Sequence, residues 1–119
     1  MSVIFARIGK RLAKWKNKME KINDKYQWTK HSIYKMRLYG LSQQRIKRII
    51  RHPVRIEEAI VPNMIAVMCQ DKNKEIWAMY MVGKKNIKII TAWRYPGKSS
   101  ARDPIPQEIL EEIRNVISV

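Results

Sequence analysis

His31 and Lys35 stand four residues apart, so on one helix they share a face and could act on the same group. Arg45, Lys47, Arg48, Arg51, His52 and Arg55 follow within two dozen residues, and Trp93, Arg94, Tyr95 and Lys98 cluster further on. These side chains suit RNA chemistry that needs no metal. Imidazole, lysine or tyrosine can move the proton of a 2′-hydroxyl, while arginine and lysine stabilise charge on the scissile phosphate. Aromatic rings can stack on splayed bases. Each residue also has an ordinary structural use: His31 as a helix-surface or capping residue, His52 as a cation at a helix end, Trp77 and Trp93 as core.

Other chemistries find little support. The chain has no G-x-x-x-x-G-K-[ST] loop, no G-x-G-x-x-G, no G-x-S-x-G and no H-E-x-x-H. Neighbouring residues of a strand point to opposite faces, so the adjacent Glu57 and Glu58 cannot pair as hydrolase carboxylates. The single cysteine, Cys69, cannot form an internal disulfide or build a structural zinc site alone, and reads as core. No cofactor and no metal are expected.

Charge is the outlier. Twenty-five Lys and Arg against ten Asp and Glu leave +15, which points to a polyanionic partner. The excess is +7 over residues 1–30, +5 over 31–61 and +5 over 62–100, and the last nineteen residues carry −2. No apolar run approaches the roughly 20 residues that span a bilayer. Basic residues interrupt the N-terminal apolar stretch too often for a secretory signal, so a cytoplasmic protein is expected.

The elements that must position these residues can be read from period and punctuation. Residues 3–22 give an apolar stripe about 100° wide, the pattern of a basic amphipathic helix. Thr29 suits the N-cap of a helix ending at Leu38–Tyr39, with Gly40 at its left-handed terminus. Ser42 caps the next helix, which Pro53 ends near Arg51, and Leu41 and Ile46 have the spacing of a hydrophobic staple. Strands are expected at 55–61, 64–70, 74–82 and 86–94, and the almost wholly apolar 64–69 should be covered on both faces. In 86–94, Ile87, Ile89, Thr91 and Trp93 should alternate with Lys88, Ile90, Ala92 and Arg94. A last helix begins near Pro106. The expected fold is α+β, with helices packed on one face of a four-stranded antiparallel sheet. Residues 1–27 form the N-terminal helix unit and 28–119 a single domain.

The segment from Trp28 to Ser42, then RIKRIIRHP and later IKIITAWR, resembles the BrnT-type toxins within the RelE-like small ribonucleases. In that family a helix ends in Gly, an apolar residue and a small polar cap follow, and a second helix closes near a Pro. The resemblance covers about residues 28–95. It implies a small α+β core, metal-independent mRNA cleavage and neutralisation by a protein antitoxin. Trp93 stands where the family has an arginine, and Arg94 is one position later, on the other side of the strand.

The resulting expectation is an RNA-binding, toxin-like protein with a metal-independent endoribonuclease site. His31 or Lys35 would move the proton, with Arg55 and Arg94 as phosphate clamps. Arg45, Lys47, Arg48, Arg51, Tyr95 and Lys98 would bind the strand, with Tyr95 as a stacking platform. His31, Arg55, Arg94 and Lys98 should then line one cleft. Two alternatives stand beside it: a non-catalytic nucleic-acid-binding protein, and a partner- or membrane-surface module working through helix 3–22. Self-association is compatible with each.

Overall fold

A computed structural model describes residues 5–7, 25–59, 64–100 and 104–117. In chain order the elements are Phe5–Arg7 (β1), Tyr26–Trp28 (β2), Lys30–Tyr39 (α1), Gln43–Arg51 (α2), Arg55–Ala59 (β3), Met64–Asp71 (β4), Lys74–Val82 (β5), Ile87–Pro96 (β6) and Gln107–Ile117 (α3). The strands from β3 to β6 pair in sequence as an antiparallel meander. Two short strands extend it. β2 joins β6 in parallel and β1 joins β3 antiparallel, giving the order β1-β3-β4-β5-β6-β2. The sheet is therefore mixed rather than a four-stranded antiparallel one. Three-residue strands are too short to show a period, which is why they escape a reading of the sequence.

Most of the expected helix 3–22 lies outside the described residues. Its described part, Phe5–Arg7, is strand, pairing from Phe5↔Ala59 to Arg7↔Glu57. The outer edge of β3 offers unpaired backbone groups there, and an extended segment satisfies them.

Helices cover both faces of the sheet, not one. On the first face Ile46, Ile49 and Ile50 of α2 and Met36 of α1 pack against Ile65, Val67, Ile76, Ala78 and Tyr80. On the second, Ile109 and Ile113 of α3 pack against Met64, Ala66, Met68, Trp77, Met79 and Trp93. Met64 to Met68 are all buried, so β4 presents apolar side chains to both sides and each needs a cover. Full burial of one such side chain contributes roughly 1.5–3 kcal/mol. The Trp77 and Trp93 rings stack with centroids 5.7 Å apart and planes within 1°.

The alternation expected in β6 breaks at a bulge. Pairing steps from Thr91↔Met79 to Ile89↔Tyr80, leaving Ile90 extra. One extra residue reverses the parity of everything beyond it. Ile87 and Ile89 consequently share the α2 face with Ala92, while Trp93 belongs to the α3 face.

α1 closes the edge of β6 where β2 stops. The Thr29 side chain caps the helix by accepting from the Ser32 amide, and its hydroxyl approaches the Ile89 carbonyl at 2.9 Å. At the other end of α1 the Arg94 Nε donates to the Tyr39 carbonyl at 2.9 Å. The helix thus runs beside β6 from residue 89 to residue 94, and Tyr39 packs against both core clusters. Gly40 ends it at φ 67°, the left-handed conformation a C-terminal cap needs. Ser42 then caps α2 by accepting from the Arg45 amide at 3.0 Å, with Leu41 and Ile46 buried as the staple pair.

Candidate functional site

Residues 25–56 contain nine Lys and Arg and no acid. Among the described residues, the carboxylates that meet them come from Glu57, Asp71 and Glu112, later in the chain. At the α1–α2 turn, Arg94 Nη1 donates to Asp71 Oδ2 at 2.7 Å, and Arg45 Nη2 stands 3.5 Å from Asp71 Oδ1. The Arg94 hydrogen bond is the chief reason that the Asp71 carboxyl titrates below its ordinary range, with the charge of Arg45 adding to it against some desolvation. Bonds to Tyr39 and Asp71 fix the Arg94 guanidinium. Together with Arg45 and Arg48 it lines a cavity of about 200 Å³, walled also by Gly40, Ser42 and Gln44. Arg48 and Arg37 are exposed, and Lys47 Nζ lies 5.1 Å from the Tyr26 ring centroid.

Arg55 belongs to a different environment. It pairs across the strands with Met68, which pairs with Trp77, whereas Arg94 pairs with Ile76. Residues paired in this way share a face, so Arg55 lies on the α3 face and Arg94 on the α2 face. Arg55 Nε donates to Glu57 at 2.7 Å, its Nη2 donates to the Ser100 carbonyl at 3.0 Å, and the guanidinium sits 5.6 Å from the Trp77 ring centroid. Buried Glu75 accepts from the Trp77 indole at 3.0 Å and from Ser99. This network ties the segment after β6 to the sheet. Tyr95 packs on the same face, half-buried, and Lys98 is exposed.

His31 and Lys35 do share a face of α1, and one carboxylate from α3 holds both. His31 Nε2 lies 2.8 Å from Glu112 Oε1, and buried Lys35 donates to Oε2 at 3.0 Å. Lys35 Nζ also lies 5.3 Å from the Tyr39 ring centroid. An imidazole oriented by a carboxylate is an arrangement used in general base catalysis, but Arg55 and Arg94, the expected phosphate clamps, stand elsewhere: Arg94 at the α1–α2 turn and Arg55 under the segment after β6.

The expected residues therefore separate into three places. Arg94 meets Arg45 and Arg48 at the α1–α2 turn, Arg55 lies under the segment after β6, and His31 and Lys35 bridge α1 to α3. The single cleft expected for His31, Arg55, Arg94 and Lys98 does not form. Sequence reasoning missed Asp71 and Glu112, each of which organises one of these places. Asp71 stands in an Asp-Lys-Asn stretch that suits a turn, and Glu112 in a Glu-rich stretch that suits the N-terminal half of a helix, so each has a ready local explanation. Neither spacing announces a partner 23 or 77 residues away.

No family model, no curated protein and no solved structure matches the chain. Among the described residues there is no cluster of His, Cys, Asp and Glu that could hold a metal ion, and no helix long and apolar enough to cross a membrane.

Proposed function

We propose that the protein binds RNA through the outer surface of α1 and α2, without cleaving it. The observation that carries this reading is the run of nine basic residues without an acid, which puts Arg37, Lys47 and Arg48 toward the outside of two adjoining helices. Phosphate neutralisation by such a surface supplies affinity that is largely independent of sequence. Cleavage would need the proton-transfer group and the charge-stabilising arginines around one phosphate. Here they face different surroundings.

The test is a gel-shift and cleavage assay on a mixed-sequence single-stranded RNA in EDTA. Bound, intact RNA across pH 6–9 is the expected result. Reversing charge with Arg37→Glu and Arg48→Glu should weaken binding by about tenfold or more. Cleavage that His31→Ala abolishes would replace this reading with the endoribonuclease one, and absence of binding at 50 mM salt would remove nucleic acid altogether.

A further inference from the structure

The cavity at the α1–α2 turn is more selective than a basic surface requires. Three arginines converge on it, and Asp71 is tied to two of them, leaving a balance of two positive charges. An internal phosphodiester carries one negative charge, whereas a phosphate monoester carries about −1.5 to −2 at pH 7. The donors also suit a group with three unesterified oxygens. Arg94 is held by Tyr39 and Asp71, so its remaining amino group has a fixed direction. Among the described residues Arg48 has no ion pair or side-chain hydrogen bond, and Arg45 stands 3.5 Å from its carboxylate, at the long end of contact. The Ser42 oxygen accepts from the Arg45 amide, which leaves its own O–H to donate. The first turn of α2 adds amides with no partner inside the helix and the positive end of its dipole.

The recess is also large enough. The recess is walled by the Gly40–Leu41 turn on one side and by α2 and β6 on the others. At about 200 Å³ it has room for several waters at about 30 Å³ each, and hence for one tetrahedral oxyanion. The recess opens to solvent, so its size admits the group while the charge balance is what favours a monoester over an internal phosphodiester.

We propose that this cavity binds the terminal phosphate monoester of an RNA strand, anchoring one end while α1 and α2 carry the adjoining backbone. The assignment rests on the RNA-binding reading for its source of phosphate, and on the three arginines for its chemistry.

Fluorescence anisotropy with the full chain separates the two. Three oligoribonucleotides of one sequence are compared: 5′-phosphorylated, 3′-phosphorylated, and with hydroxyls at both ends. One phosphorylated strand should bind about ten- to a hundredfold tighter than the strand without a terminal phosphate. Arg48→Gln, which also belongs to the basic surface and so weakens binding of all three strands, should in addition bring the ratio of phosphorylated to hydroxyl-ended affinity most of the way to one. Arg45→Gln serves as a second variant. Equal affinity of the wild-type protein for all three strands overturns the terminal-phosphate site and leaves the RNA-binding reading intact. If no strand binds, calorimetry with inorganic phosphate decides the cavity. Phosphate binding that Arg48→Gln weakens would retain an anion site but overturn RNA as its source, and no phosphate binding would overturn both.

Discussion

Asp71 is the residue on which the arginine cavity turns, because it aligns Arg94, reaches Arg45 and cancels one of three positive charges. Its carboxyl titrates below the ordinary value, so the unfolded chain takes up that proton more readily than the folded one. The stability this supplies is fully present above the unfolded value of about 3.9 and disappears as pH falls through the lower folded value. Asp71→Asn should accordingly melt below wild type from neutral pH down to about pH 4.5, with the gap closing in stronger acid. A gap that persists unchanged to pH 2 would show that Asp71 acts by shape alone. Glu112 poses a different problem, since Lys35 is 6% exposed and has no other acid near it among the contacts described. Glu112→Ala should destabilise the protein by roughly 1–3 kcal/mol in urea unfolding, the cost of leaving a buried polar group unmatched. Adding Lys35→Met should recover much of that loss, because an apolar side chain at position 35 leaves no unpaired buried ammonium. If the double variant is no more stable than the single one, the ammonium is not the source of the penalty.

At the scale of elements, the turn between α1 and α2 is specified by local chemistry. A Cβ on Gly40 would meet nothing within 4 Å, so the glycine serves conformation and not space. Gly40→Ala should cost about 1 kcal/mol from the left-handed backbone alone, and Gly40→Asn less, since asparagine tolerates that region. Thermal melts of the two variants test the order, and a loss of several kcal/mol in either would mean that the turn is crowded after all. The same locality explains which elements could be read in advance. Thr29, Gly40, Ser42 and Pro106 mark helix ends by their own side chains or backbone, and the helices lie where those residues put them. The strands from β3 to β6 were legible in their alternation and turn residues, apart from residues 60–63, which lie outside the described chain. What failed was relative placement. Whether Arg55 and Arg94 share a face depends on register across three strands, and no local signal carries that. The bulge at Ile90 shifts one strand's parity without a glycine to mark it. The expectation of helices on one face also conflicted with an apolar β4 that needed cover on two; the both-faces reading of 64–69 was the better guide.

Across the whole molecule the charge is arranged by sequence position as well as by amount. Net charge is +15, yet α3 contributes three of the ten acids and turns one of them, Glu112, back onto α1. RNA binding should therefore draw on the α1–α2 surface and depend steeply on salt. Six phosphate contacts would give a slope of log affinity against log salt of roughly −4 on a single strand. A slope near zero, measured between 50 and 300 mM salt, would mean that non-ionic contacts hold the RNA.

The parallel pairing of β2 with β6 also sets an order in time. Thr29 lies sixty residues from the carbonyl it meets at Ile89, and the meander of β3 to β6 lies between them. A chain made from its N-terminus carries β2 and the acid-free stretch after it for most of its synthesis before either has an edge to join. Among the described residues, the carboxylates that meet this stretch arrive in sequence: Glu57, then Asp71, and Glu112 only after every strand has been made. The nascent chain is thus strongly cationic before it can complete its fold. Closing so long a loop is slow compared with forming the hairpins inside it. In refolding followed by hydrogen exchange, the amides of β4 and β5 should gain protection first, and those of Tyr26–Trp28 among the last.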